Sequence, residues 1–167
     1  PPPTPLEDEE VQWSASSAEA AVSSAANDIS RLFDALRDDL LISSLADASP
    51  RVRVHAIRLA ELLAADSAPL REALFGRVAD PDIRVRFQLA FSLGQLRGSQ
   101  RNAALAELAR LDADNPLLLM AVQSSLVSGG GDVFARLVTD RQSVAKKSIR
   151  QLLLDLAAQI GLQGDAA

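Results

Sequence analysis

A repeat of fixed period constrains this 167-residue chain more than any other feature. The segment Asp47-Ala48-Ser49-Pro50-Arg51-Val52-Arg53 returns 33 residues later as Asp80-Pro81-Asp82-Ile83-Arg84-Val85-Arg86, pairing Asp47 with Asp80, Arg51 with Arg84, Val52 with Val85 and Arg53 with Arg86. A third, eroded copy keeps only the apolar register: Leu111 answers Val78 and Leu45, Leu118 answers Val85 and Val52, and Leu126 answers Leu93 and Ala60. Periods of this size belong to stacked architectures, in which one supersecondary unit buries its apolar face only against the next. The competing reading is a three-helix bundle with coincidental similarity.

Local chemistry places helices on both sides of each turn. Ser49-Pro50 opens a helix as an N-cap followed by proline in the first turn, with Val52, Ala56, Leu59, Ala60 and Leu63 as its expected buried face. Asp66 or Ser67 caps the next helix, whose inward side is Leu70, Ala73, Leu74 and Val78. After Asp80-Pro81-Asp82, the face recurs as Val85, Leu89, Ser92, Leu93 and Leu96. Gly94 is expected to admit a neighbouring helix, and Gly98 to stop the chain's helix. Further helices are expected over 102–111, 117–127, 133–138 and 143–160, the last with Leu152, Leu153, Leu156 and Ile160 inward and Gly161 as its stop. Upstream, 11–26 reads as a weak helix anchored by Trp13, Val22 and Ala25. Asp28 caps a segment carrying Ile29, Leu32, Phe33 and Leu36, and Leu40, Leu41 and Leu45 continue that face; whether 28–46 is one helix or two stays open. The boundaries are a Pro-rich acidic linker over 1–13, a helical repeat domain over 14–161 (repeats at about 40–66, 67–98 and 99–130, a degenerate cap over 131–161) and a tail over 162–167.

Composition agrees with close-packed helices: 48% of residues are apolar but only 4% aromatic, where a sheet would enrich Val, Ile, Thr and aromatics. No apolar run reaches the ~18 residues of a membrane span, and no signal peptide is visible. Because the chain opens on Pro1, we expect it to be a piece of a longer protein. The absence of cysteine removes disulfides, thiolate metal sites and covalent haem attachment from this segment. The net charge of −5 is uneven: residues 1–50 hold ten acids against two arginines, and residues 51–101 nine arginines against five acids. An acidic chain with a mildly basic middle is not an evident nucleic-acid binder.

Candidate sites follow from the repeat. Asp47 precedes Arg53 by six residues and Asp80 precedes Arg86 by six, which predicts a structural ladder of turn acids and helix arginines between stacked neighbours. The third copy has Ala113 and Leu119 at those places, so the ladder is expected to end there. Exposed positions of the second helices, His55, Arg58, Gln88, Phe91 and Gln95, make a candidate concave contact surface, with Gln88, Phe91 and Gln95 expected to be free for recognition. Packing of Phe91 against the adjacent helix competes with its use as a contact anchor.

No catalytic, cofactor-binding or metal-ligating set is assigned. His55 is the only histidine, too little for a metal site. Asp38-Asp39 are consecutive and diverge on a helix. Asp80 and Asp82 occupy a turn where Asp is expected anyway. Ser124-Ser125 lacks a nucleophile-elbow context, and Gly129-Gly130-Gly131 follows a helix and does not join a strand to one.

The turn aspartate and the Val-Arg pair opening the second helix resemble HEAT repeats, over about 40–130. A narrower resemblance is carried by residues 80–90, by Leu105-Ala106-Glu107-Leu108-Ala109-Arg110-Leu111-Asp112-Ala113-Asp114-Asn115-Pro116 and by Ala121-Val122-Gln123-Ser124-Ser125-Leu126. These are similar to the HEAT segment of planctomycete-type haem-binding dehydrogenase/cytochrome c proteins. That resemblance implies an exported or periplasmic, multi-domain redox parent whose haem sits on a Cys-x-x-Cys-His motif outside this segment. Val11-Gln12-Trp13 departs from the fuller helix of that family. The expectation is therefore an all-α, HEAT-like α-solenoid, a right-handed superhelix of antiparallel helix pairs, armadillo-like in architecture. It is non-enzymatic, holds no cofactor of its own, and contacts a protein partner or neighbouring domains of the same chain. The alternative is a nucleic-acid-binding helical repeat whose basic inner face, Arg53, Arg58 and Arg86, tracks a phosphate backbone.

Overall fold

The computed structural model describes residues 15–164, with side chains from 19 to 162. The expected linker over 1–13, with its Trp13, and the last residues of the tail lie outside that range. Among the described residues the chain is all helical, without a strand. The chain divides into two units, 1–37 and 38–167, so the repeat domain expected over 14–161 contains a boundary at 37/38.

The first unit holds most of helix α1 (Ala15–Leu45), which is one helix, with no new start at Asp28. Asp28 instead sits one turn from Arg31 (3.6 Å), as Asp34 does from Arg37 (3.1 Å). Ile29, Leu32, Phe33 and Leu36 share the helix as expected but are exposed.

In the second unit, each turn supplies its own cap. Helix α2 (Pro50–Glu61) begins at Ser49 with proline in its first turn. Ser67 opens α3 (Ala68–Phe75) by accepting from the Leu70 N–H, and Asp82 opens α4 (Ile83–Ser92) by accepting from Arg84 N–H. A 3-10 turn, Leu93–Gln95, extends α4. Helix α5 (Ser99–Leu111) starts after Gly98, whose φ of 105° makes it a helix entry instead of the expected stop. Asn115 accepts from two N–H groups at the start of α6 (Pro116–Ser124). Gly129, at φ 78°, leads into α7 (Gly130–Val138). Asp140 caps the short α8 (Arg141–Ala145), and α9 (Lys147–Gly164) runs past Gly161. The single helix expected over 143–160 is thus two, and it does not end at 161. Glycine inside a helix costs only about 1 kcal/mol relative to alanine, which the apolar face of α9 outweighs.

Two rows of helices build the core. Along one, α2 packs on α4, α4 on α6 and α6 on α9; along the other, α5 packs on α7 and α7 on α9. The α4 face is Val85, Leu89, Ser92 and Leu93, followed by Leu96, all buried as expected. On α2 the expected face is rotated: Leu59 (57% exposed) and Val52 (39%) face outward, while Arg53, Ala56, Ile57 and Ala60 are buried. On this face the Arg53 guanidinium reaches a buried acid, Asp80. Leu111 is likewise exposed, whereas its register partner Leu45 is buried. Gly94 meets Ser125 so closely that a Cβ would lie 3.0 Å from its Oγ, the close approach expected of it.

Candidate contact surface

The repeated Arg and Asp form inter-repeat bridges, but not between the members of one copy. Arg53 donates from Nε and Nη2 to both Asp80 carboxylate oxygens (2.8 and 2.7 Å) and from Nη1 to the Asp47 and Ala48 carbonyls of its own turn. Arg86 repeats the pattern one layer on, gripping both oxygens of Asp112 (2.6 Å each) and the Asp80 carbonyl. Each arginine thus closes its own turn and reaches the acid of the next. Asp47 makes no ion pair with an arginine among the described residues; its Oδ1 accepts from the Ser49 N–H. The ladder therefore runs one layer further than expected, because Asp112 supplies the acid that Ala113 lacks by standing one residue earlier. Leu119 offers no arginine to carry it on.

Electrostatics follow the geometry. Burial works to raise the Asp80 carboxyl, but the Arg53 fork, the Asp82 N–H and the nearby Arg53 and Arg77 charges together hold it below the ordinary carboxylate value. Asp82, gripped by Arg84 through side chain and backbone, is held down to about 2. The Arg53 and Arg86 guanidiniums are raised by their bonds to Asp80 and Asp112 against the opposing effect of burial.

Two arginines gave no periodic signal in the sequence. Arg150 donates from Nη1 to the Val144 and Ala145 carbonyls, six and five residues back, the same turn closure that Arg53 makes. It lies 64 residues after Arg86 instead of twice 33, so the shortened fourth pair hid it. Arg101 is more unusual. It is buried at 2% exposure and meets no carboxylate among the described residues. It donates instead to Leu93 O (3.1 Å), Ser128 O (2.8 Å), Asn102 Oδ1 (2.7 Å) and Ser125 O. The Leu93 and Ser125 carbonyls lie at the ends of α4 and α6, where helix-end oxygens carry partial negative charge, and Leu93 O also accepts from the Leu96 N–H. Burial, with the Arg97 charge, lowers the Arg101 guanidinium from its ordinary value.

The expected contact residues sort themselves by what they already hold. His55, Arg58, Phe91 and Gln95 are exposed, while Gln88 is half-buried. Gln88 is not free, contrary to expectation: its Oε1 accepts from Arg58 Nε (2.8 Å) and its Nε2 donates to Ser92 Oγ (3.2 Å), which donates to Glu61 (2.7 Å). This chain of side chains ties α2 to α4, and both the Gln88 amide and the Ser92 hydroxyl accept and donate at once. Phe91 stacks edge-on to Phe87, one turn back on its own helix, at 5.1 Å and 82°, and stays 43% exposed. Between α2 and α4 lies a groove of about 380 Å³ lined by Pro50, Arg51, Val54, His55, Arg58, Arg84, Phe87 and Gln88.

The basic inner face changes under this geometry. Arg53 and Arg86 are consumed by the ladder, leaving Arg58 of the three arginines that were to follow a phosphate backbone. Among the described residues no group of three or more His, Cys, Asp or Glu converges as metal ligands, and no helix is long and apolar enough to cross a membrane. Comparison with protein-family models, curated proteins and solved structures returned no match.

Proposed function

We propose that this chain is a HEAT-type α-solenoid acting as a non-catalytic scaffold for protein–protein or inter-domain contacts. The observation that carries the proposal is the pair of ladder bridges, Arg53–Asp80 and Arg86–Asp112, spanning 27 and 26 residues with the same fork and the same turn closure. Two equivalent bridges between successive α2, α4 and α6 turns are what a unit stacked by a repeated translation requires. The side chains that differ between copies, His55 against Gln88 and Arg58 against Phe91, then lie on one continuous surface, where repeat proteins take partners.

In the fuller reading the scaffold is a spacer within a larger exported haem-binding dehydrogenase-like protein, with haem and catalysis in other domains. The similarity of residues 80–90 and 105–126 to such segments supports it. A Cys-x-x-Cys-His motif encoded downstream in the same gene is the expected companion; a complete gene without one overturns this context.

Photo-crosslinking in the full-length gene product, with the reactive amino acid at Phe91 or Gln95, tests the scaffold. Adducts to a neighbouring domain or to one partner protein are expected. Retention of duplex DNA at moderate salt, lost on Arg58→Ala, would instead favour the nucleic-acid reading.

A further inference from the structure

The groove between α2 and α4 has a chemistry that names its occupant. Residues 51, 54, 55 and 58 follow an i, i+3, i+4, i+7 pattern, so they form one face of α2, and Arg84, Phe87 and Gln88 do the same across from them on α4. Three guanidiniums and the imidazole of His55 line this space. Arg84 is already bound bidentately to Asp82 (3.0 and 2.6 Å), and Arg58 has given its Nε to Gln88. Its two terminal nitrogens, and the whole guanidinium of Arg51, meet no acceptor among the described residues. Two acids of these helices and their turns are engaged elsewhere: Asp82 with Arg84, and Glu61 with Ser92. Val54, Phe87 and the ring of Pro50 make the apolar part of the lining, with Phe91 standing exposed beyond it.

We propose that this groove binds an extended acidic peptide segment of a partner protein, its carboxylates on Arg51 and Arg58 and an intervening apolar side chain against Val54 and Phe87. The proposal rests on the scaffold reading and specifies its partner. A guanidinium fork matches a carboxylate in two parallel hydrogen bonds, and Gln88 already fixes the Arg58 head, which lowers the ordering cost of binding. Nucleic acid fits less well. The other arginines at the starts of α2 and α4, Arg53 and Arg86, are held in ion pairs with Asp80 and Asp112. At the α6–α9 end of the row Asp155 and the Lys146-paired Asp114 stand around Leu119, Met120 and Leu152, so a phosphate track would meet carboxylates as well as lysines there. A short acidic segment confined to α2–α4 escapes that repulsion.

Fluorescence anisotropy on the whole chain tests this, using a labelled ten-residue peptide of alternating Glu and Leu, its Lys/Leu counterpart and a duplex DNA of twenty base pairs. The acidic peptide is expected to bind and the basic one not. Arg51→Ala with Arg58→Ala should weaken binding at least tenfold, while Arg110→Ala, in another part of the unit, leaves it unchanged; circular dichroism checks that each variant stays helical. Equal binding of both peptides, no loss in the double variant, or tighter binding of duplex DNA with the same arginine dependence would overturn the proposal. The scaffold reading is judged separately: crosslinks from Gln95 to a partner, in a chain that ignores the acidic peptide, would leave it standing while this groove assignment falls.

Discussion

Asp80 is the residue on which two repeats meet, receiving the Arg53 fork from one side and the Asp82 N–H from the other while its side chain is 1% exposed. Removing one member of such a pair strands a buried charge and costs about 3–5 kcal/mol, whereas replacing both with apolar groups of similar volume is often nearly neutral. Urea unfolding of Asp80→Leu, Arg53→Met and the double variant should therefore show strong coupling, the double losing clearly less than the sum of the singles. It should not return fully to wild type, because the Asp47 and Ala48 carbonyls also lose their donor. The acid limb gives a second expectation. The folded Asp80 carboxyl sits below the unfolded value, so its contribution is complete above the ordinary carboxylate range, about pH 4, and fades as pH falls toward the folded value. Asp80→Asn should be less stable than wild type at pH 7, with the gap in urea midpoint narrowing below pH 4; a gap constant with pH would contradict the pairing. Both bridging arginines could be read from the 33-residue spacing. Their acceptors could be read only in part: a strict period assigns Ala113 to the third layer, and tolerance of one residue is needed to find Asp112.

Helix ends carry the information that periodicity does not. The caps at Ser67, Asp82 and Asn115 are small polar residues of the kind that favours helix starts, but the sequence leaves Ser67 level with Asp66 and gives Asp82 only as part of a turn. The start of α5 was not legible, since Gly98 reads equally as a stop and as an entry, and only its left-handed backbone decides. Nor was the α8–α9 break, where α8 ends at Ala145 and no glycine or proline intervenes. Arg101 shows why such ends are hard to foresee: its partners are backbone oxygens at Leu93, Ser125 and Ser128, which have no side-chain signature. Arg101→Met keeps the stem's packing but takes the donor from the Ser125 and Ser128 carbonyls and from Asn102 Oδ1, while Leu93 O keeps the Leu96 N–H; each acceptor left unpaired costs about 1–3 kcal/mol where water cannot reach it. A loss of at least about 3 kcal/mol in urea unfolding is expected on that basis. Arg101→Lys should fall between, a single ammonium having three donors where guanidinium has five. A neutral Arg101→Met would mean that the α4 and α6 ends are not held by this side chain.

For the 38–167 unit as a whole, the question is whether its helices form one cooperative core or a row of neighbours. Helix α9 packs on α6 and α7, while α2 packs on α4 at the other end of the row. In a stacked array, stability is a sum of unit and nearest-neighbour terms, so damage at one end stays near that end; in a single core it is shared by all. Leu156, fully buried on α9, separates the two. Leu156→Ala removes core contacts worth about 2–5 kcal/mol. Hydrogen exchange followed by mass spectrometry should then show protection falling in α6, α7 and α9 while α2 and the start of α4 keep most of theirs, in line with locally graded opening. A uniform fall across α2 to α9 would count against the solenoid. The reverse experiment sharpens it: Ile57→Ala, fully buried on α2, should loosen α2 and α4 and spare α7 and α9. Because the Arg53–Asp80 and Arg86–Asp112 bridges couple adjacent layers only, breaking either should widen the affected region by no more than one layer beyond its own partners.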